Sequence, residues 1–300
     1  MNAVEISVVM PAYNAEKYLA ESISSVLNQS FASWELIVVD DGSTDKTAEI
    51  VNGFLPDQRI TLIRQTNKGV SAARNAGIEA AKGNFITFLD ADDVYMPGNL
   101  TIKYEAINAD PGTDYVYSDI LLCGPELESI FVDKGVPADV VCNAVLTWQA
   151  KGIPGFSSNI MVKYSVIKDK NIYFDTHLSN CADRYYKILL VSACRGVYIP
   201  QALAKYRNTP DSMSKKVFLL EHDELYILDK IKEKNIIPKS KNRNKVFAKV
   251  YLMLSGSWYK DAGKTGKAIQ FTLKALFTYP GVFIMLVNKG FGMLFTNNKK

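Results

Sequence analysis

Short apolar, β-branched runs recur at 6–10 (ISVVM), 34–41 (WELIVVDD), 60–64 (ITLIR) and 85–90 (FITFLD). Short runs of this composition are expected of strands buried on both faces. The segments between them carry a helical period instead. In 15–28, Tyr18, Leu19, Ile23, Val26 and Leu27 form one stripe, with Asn14 placed to cap it and Glu16 in its first turn, where the helix dipole favours a carboxylate. In 44–54 the stripe is Ala48, Val51 and Phe54; in 69–81 it is Val70, Ala73, Ala76, Ala80 and Ala81. The order βαβαβαβ implies a mostly parallel sheet with right-handed crossovers, flanked by helices. Further strands are expected at 114–122, 156–162 and 196–207 and a helix over 183–193, and from about 216 onward helical patterns dominate.

In such a sheet, ligands bind beyond the carboxyl ends of the strands. That rule selects three loops on one rim: Pro11 to Asn14, Asp40 to Ser43, and Asp90 to Asp93. The last is chemically pointed, because "FLDADD" sets three carboxylates where a buried strand ends, and an unpaired buried carboxylate is costly. An extended chain would send Asp90 and Asp92 to the same face. Two such oxygen donors suit Mg²⁺ or Mn²⁺, with substrate phosphates completing the shell. The plain alternative is that these residues end the strand and cap the next helix.

Composition narrows the class. With 48% hydrophobic and 22% charged residues in 300, the chain reads as globular and long enough for two modest domains. Four cysteines without CxxC spacing and two histidines indicate neither a disulfide framework nor a zinc site, which fits a reducing cytoplasm. The N-terminal run reads as a first strand and not as an export signal. Charge is uneven. Residues 215–300 hold 17 Lys/Arg against 6 Asp/Glu, while 1–214 hold 18 against 25. The segment 277–295 is the most apolar of the tail, yet its uninterrupted run, 282–287, is far short of the roughly 20 residues a spanning helix needs. Apolar surface among lysines suits an interfacial helix on an anionic membrane, with no nucleic-acid partner expected; a plain packed helical cap is the alternative.

The runs "SVVMPAYNAEKYLAESISSVLNQSF", "ELIVVDDGSTDKTAEIV" and "NKGVSAARNAGIEAAKGNFITFLDADD", in this order and at these separations, closely resemble the family 2 glycosyltransferases of the GT-A fold, over about residues 5–210. The resemblance implies a GT-A domain with a nucleotide-sugar-binding half at 1–110 and an acceptor-binding half at 111–215, followed by a basic helical extension at 216–300. It implies that Pro11, Ala12, Tyr13 and Asn14 line the nucleotide pocket, with Tyr13 against the base. Asp41 would accept from the uracil ring, with Asp40 as the alternative. Arg74 would approach the diphosphate, Asp90 and Ala91 would border the nucleotide, and Asp92 with Asp90 would hold Mn²⁺ or Mg²⁺. Asp183 would be the catalytic base that takes the acceptor hydroxyl proton, although Ala182 stands where the family carries Glu. An N-cap is the other role for an Asp at a helix start. Thr209 stands at a family His, leaving Ser212 and Ser214 as nearby polar groups. Trp148 is a candidate to stack on a sugar ring, with packing as its alternative.

The implied activity is an inverting, metal-dependent transfer from a nucleoside diphosphate sugar, UDP-linked, to a saccharide or lipid-linked saccharide acceptor of a bacterial surface polysaccharide, at the inner face of the plasma membrane. The QxxRW signature of processive synthases is absent. "MPAYNAEKY" lacks the glycines that a nucleotidyltransferase or a dinucleotide dehydrogenase would show there. A non-catalytic saccharide-binding or scaffold protein on the same fold is the remaining alternative.

Overall fold

The computed structural model describes residues 3–146, 152–155, 157–208, 217–237 and 243–284. Trp148, Thr209, Ser212, Ser214 and the part of 277–295 beyond 284 lie outside them. The chain divides into two compact units, one drawn from 1–145 and 150–212, the other from 146–149 and 213–300.

The first unit opens as the apolar runs predict: β1 (Ile6–Ala12), α1 (Leu19–Leu27), β2 (Trp34–Asp40), α2 (Thr47–Phe54), β3 (Ile60–Arg64), α3 (Val70–Ala80) and β4 (Phe85–Phe88). These four strands are parallel, in the order β3-β2-β1-β4. A two-residue β5 (Val94–Tyr95), α4 (Asn99–Asn108), β6 (Tyr115–Cys123), β7 (Ser129–Asp133), α5 (Ala138–Leu146), β8 (Ile160–Lys163), α6 (Tyr164–Asp169), α7 (Ala182–Ala193) and β9 (Gly196–Arg207) follow. The sheet continues past β4 as β8-β6-β9-β5. β8 runs antiparallel to both β4 and β6, β6 and β9 are parallel, and β7 adds to β6 as an antiparallel edge strand.

Alternation along β1 and β2 sorts the core. Ile6, Val8, Met10, Leu36 and Val38 face α1 and α2, whereas Ile37 and Val39 face α3. All are at most 1% exposed, and each such aliphatic contributes roughly 1.5–3 kcal/mol of burial. α3 can lie close on the sheet because residue 77 is glycine; a Cβ there would come within 2.3 Å of Val9 Cγ1. Gly42, at φ +77°, makes the turn after β2, where a side chain would be strained and would crowd Asn67.

Three local expectations change. The strand expected at 156–162 covers only Ile160–Lys163, because Ser157–Asn159 form a single tight helical turn before it. The helix expected over 15–28 starts only at Leu19, with no side-chain cap at Tyr18. Asn14 is left-handed, φ 48°, and its Oδ1 accepts from Thr44 N at 2.9 Å, so it braces the loop before α2 and does not cap α1. Residues 90–93 are not extended either. Asp93 N donates to Asp90 O at 3.0 Å, closing a tight turn, so pleat alternation does not set where the three carboxylates point.

The second unit comprises α8 (Val217–Glu233), α9 (Arg243–Lys260) and α10 (Thr265–Thr278) among the described residues. No described helix is long and apolar enough to cross a membrane.

Candidate active site

The loops after β1 and β2 are laced together by side chains. Asn14 N donates to Ser43 Oγ at 2.9 Å, Ala15 N to Thr47 Oγ1 at 2.8 Å and Lys46 N to Glu16 Oε2 at 3.0 Å. Pro11 and Ala12 are buried as the last residues of β1, and the Tyr13 ring emerges beside them, 53% exposed. An open aromatic face on a braced loop can stack a base.

Asp40 and Asp41 are both buried and both hydrogen-bonded. Asp40 accepts from Ser43 N at 2.9 Å and from Arg64 Nε at 3.0 Å. Asp41 Oδ1 accepts from Gln65 Nε2 at 2.7 Å and Lys68 N at 2.9 Å, and its Oδ2 from Gly69 N at 2.8 Å. Asp41 thus holds the approach to α3. Of its roughly four lone-pair positions one, on Oδ2, receives no donor among the described residues.

The carboxylate turn is pinned from two sides. Asp90 N donates to Ser158 Oγ at 3.1 Å, and that hydroxyl donates to Asp93 Oδ2. From β9, Arg207 N donates to Asp93 Oδ1 at 2.9 Å, Arg207 Nε to Asp92 O at 2.7 Å, and Arg207 Nη2 to Glu21 Oε2 of α1 at 2.6 Å. Arg207 Nη1 also reaches Pro125 O, and the guanidinium lies over the Tyr18 ring. Ala91 O accepts from Ser22 Oγ at 2.9 Å. Asp93 is therefore structural, and burial, aided by Asp92 and Asp90, raises its pKa well above the ordinary carboxylate value.

Asp92 differs from its neighbours. No side chain among the described residues donates to its carboxylate, and burial, then the charge of Asp90, pushes its pKa up to about 6. A half-buried carboxylate short of positive charge is what a hard cation would satisfy.

Asp90 faces a different partner. Arg74, from α3, bonds Asp90 Oδ1 through Nη2 and Asp183 Oδ1 through Nη1, both at 2.7 Å. Ser157 Oγ donates to Asp90 Oδ2 at 2.7 Å and stands 3.5 Å from Asp183 Oδ2. Burial opposes the Arg74 charge, but Asp183 and Asp90 more than offset it and hold the pKa above its ordinary value. Arg74 Nε has no partner among the described residues, and the guanidinium lies 5.1 Å from the Phe174 ring. Asp183 sits in the first turn of α7, which begins without a side-chain cap. Its side chain is 36% exposed, so it is open to a ligand while held by Arg74.

The structure thus brings Arg74, Asp90 and Asp183 into one cluster, with Asp92 on the adjoining turn and Tyr13 on another loop of the rim. Sequence reasoning missed Ser157, Ser158 and Arg207. Arg207 entered only as the last residue of the strand expected over 196–207, and nothing marked the two serines. Among the described residues, no three His, Cys, Asp or Glu side chains form a metal cage by themselves.

The sequence profile of Glycosyl transferase family 2 matches residues 7–141, which spans β1 to α5 and all three rim loops. Residues 7–141 belong to glycosyl transferase family 2. An uncharacterized glycosyltransferase of Haemophilus influenzae is 55% identical over 95 residues, 31% of this chain and 38% of that protein. The Escherichia coli UDP-Glc:alpha-D-GlcNAc-diphosphoundecaprenol beta-1,3-glucosyltransferase WfgD is 46% identical over 99 residues, 33% of this chain and 39% of that protein. The matches thus span about two fifths of these relatives' own length. In three dimensions, S. aureus TarS 1–349 superposes with a TM-score of 0.67 at 20% identity, over 90% of this chain and 81% of that one. The Pyrobaculum calidifontis mannosyltransferase PcManGT, solved with GDP-Man and Mn²⁺, gives 0.60 at 17% identity, over 98% and 81%. At such identities the likeness shows the fold, which is GT-A with a helical C-terminal part.

Proposed function

We propose that this protein is an inverting, divalent-metal-dependent glycosyltransferase that moves a sugar from a nucleoside diphosphate donor, UDP-linked, to the hydroxyl of a saccharide acceptor. The observation that carries the reading is the Arg74 bridge, which puts Asp183 2.7 Å from the guanidinium that also holds Asp90. A base candidate and a metal-side carboxylate are thereby fixed to one rigid group. Such preorganisation is what a displacement at a sugar carbon requires.

In this reading Tyr13 stacks the base, Pro11, Ala12 and Asn14 shape the pocket around it, and Asp41 offers its open Oδ2 to a ring N–H. Ala91 packs beside the nucleotide. Asp92, with Asp90, would hold Mn²⁺ or Mg²⁺, whose chemistry is to neutralise the diphosphate as it leaves. Asp183 takes the proton of the acceptor hydroxyl while that oxygen bonds to the anomeric carbon, and the bond from that carbon to the diphosphate oxygen breaks on the opposite face. A single displacement inverts the anomeric configuration. Arg74 and Ser157 orient the Asp183 carboxylate throughout.

The acceptor is taken to be lipid-linked, in surface polysaccharide assembly at the cytoplasmic face of the membrane. The WfgD name, with its diphosphoundecaprenol acceptor, and the basic tail support this. The test is a thermal-shift and nucleotide-release screen of UDP- and GDP-sugars with and without Mn²⁺. A Mn²⁺-dependent shift and release with a UDP-sugar is expected; a panel giving neither would sink the proposal.

A further inference from the structure

We infer that the outward face of α10 is a docking surface for an anionic lipid bilayer. The inference deepens the proposed function and rests on its reading that the acceptor is lipid-linked. α10 has two faces. Ala268, Phe271 and Ala275 turn inward onto α9, where Phe271 meets Tyr251 and Ser255 Oγ donates to Ala268 O at 2.8 Å. Ile269, Leu273 and Phe277, spaced four apart, form a stripe on the other side and are 55%, 48% and 87% exposed. Phe283 and Ile284, just past the helix, are exposed as well. A solvated face would carry polar residues at these positions.

Charge identifies the occupant. From 262 to 300 the chain has six lysines and no Asp or Glu. Lys274 flanks the stripe, lying over the Tyr251 ring, and Lys264 is exposed just before the helix. Lys267 is on the same flank but is paired with Glu221 of α8 at 2.8 Å, which leaves Lys264 and Lys274 as the freer charges. Protein interfaces are depleted in lysine, whereas a bilayer surface rich in acidic headgroups attracts it. The helix is too short to span: 14 residues rise about 21 Å against a hydrocarbon core of about 30 Å. It would therefore lie in the interfacial plane, apolar stripe down and lysines at headgroup level.

The test is vesicle flotation of the full chain, without donor or acceptor, on phosphatidylcholine vesicles with and without phosphatidylglycerol, at low and high salt. Binding is expected only with phosphatidylglycerol and weaker at high salt. The triple variant Ile269→Ser, Leu273→Ser, Phe277→Ser should lower partitioning by roughly tenfold or more. The pair Lys264→Gln, Lys274→Gln should lower it and flatten the salt dependence. All these positions are exposed, so circular dichroism and Mn²⁺-dependent nucleotide release in free solution should be unchanged. No flotation at low salt, or flotation undiminished in both variants, overturns the inference. So does a triple variant whose only change is from dimer to monomer, which would assign the stripe to a second copy of the chain. Nucleotide release reports on the proposed function separately, so loss of either readout is attributable.

Discussion

Arg74 and Asp183 stand 109 residues apart in the chain and meet at 2.7 Å, and the same guanidinium takes Asp90 at 2.7 Å. One buried cation therefore sets the positions of two carboxylates that would otherwise repel. Arg74→Met should leave both without their cation, with Ser157 Oγ as the donor that remains to Asp90. Removing one partner of a buried pair costs 3–5 kcal/mol; with these carboxylates 25% and 36% exposed, a loss of about 2–3 kcal/mol is expected. Arg74→Lys keeps the charge but not the fork and should fall between. Urea unfolding of the three proteins checks this, and an unchanged midpoint for Arg74→Met would refute the bridging role.

Asp183→Asn keeps size and the contact with Arg74 while removing the proton acceptor. Donor binding should be retained, and turnover should drop about 10²–10⁴-fold. Calorimetric titration with the donor alongside product formation separates the two, and near-normal turnover would remove Asp183 from the base role.

Asp92 carries a pH prediction. Its pKa, pushed up to about 6 by burial and then by Asp90, means that the folded protein binds more protons than the unfolded chain between the ordinary value of 3.8 and about 6. Without metal, the stability tied to this group is full below 3.8 and is lost as pH rises through 6. Asp92→Asn should accordingly raise Tm at pH 7 in the absence of metal, and should abolish the further stabilisation by Mn²⁺. In the parent protein Mn²⁺ affinity should weaken as pH falls below 6, where the carboxylate protonates. A variant whose metal-free Tm falls at pH 7, with Mn²⁺ stabilisation intact, would contradict both expectations.

Much of this was readable from the chain because burial on two faces leaves a one-dimensional mark: β1, β2 and β4 are buried along their length and match short apolar, β-branched runs. β3 matches such a run too, but it is an edge strand and only its Ile60 is buried. Helix α7 and strand β9 follow their patterns as closely. The positions of functional atoms were less legible. Asn14 reads as a cap for the helix that follows it, yet its side chain serves the neighbouring loop, because parallel strands bring their exit loops together. Asp90 and Asp92 read as extended neighbours, yet a backbone turn places them. Arg74 reads as a phosphate ligand, but its bonds to Asp183 and Ser157 link α3 to segments some 80 to 110 residues away. Hydrophobic period carries no record of such pairings.

Arg207 links β9 to the carboxylate turn, to Glu21 of α1 and to Pro125 O. Arg207→Ala should strip the turn of this brace, leaving Asp93 only its hydroxyl bond from Ser158 and its bond from the main chain at 207. A fall of roughly 2–4 kcal/mol in stability is expected, with a higher KM for donor and metal and a smaller change in kcat. Steady-state kinetics over a Mn²⁺ series distinguishes this from general damage: a loss confined to kcat would mean the brace does not act on donor or metal binding.

Lys103 offers a test of the core away from the site. The residue, on α4, is fully buried, its Nζ lacks a hydrogen-bond partner among the described residues, and the ammonium lies 5.3 Å from the Tyr95 ring. Burial alone lowers its pKa from 10.5 to about 7. Between those values the unfolded chain binds more protons than the folded one, so stability rises with pH across that window. Lys103→Met fills similar space without the charge. It should stabilise the protein at pH 7 by roughly 1–4 kcal/mol, and the gain should shrink toward pH 10, where the unfolded lysine also loses its proton. Urea denaturation of both proteins at pH 7 and pH 10 measures the difference. A variant less stable at pH 7, or a gain that does not change with pH, would show that the amine is satisfied where it sits.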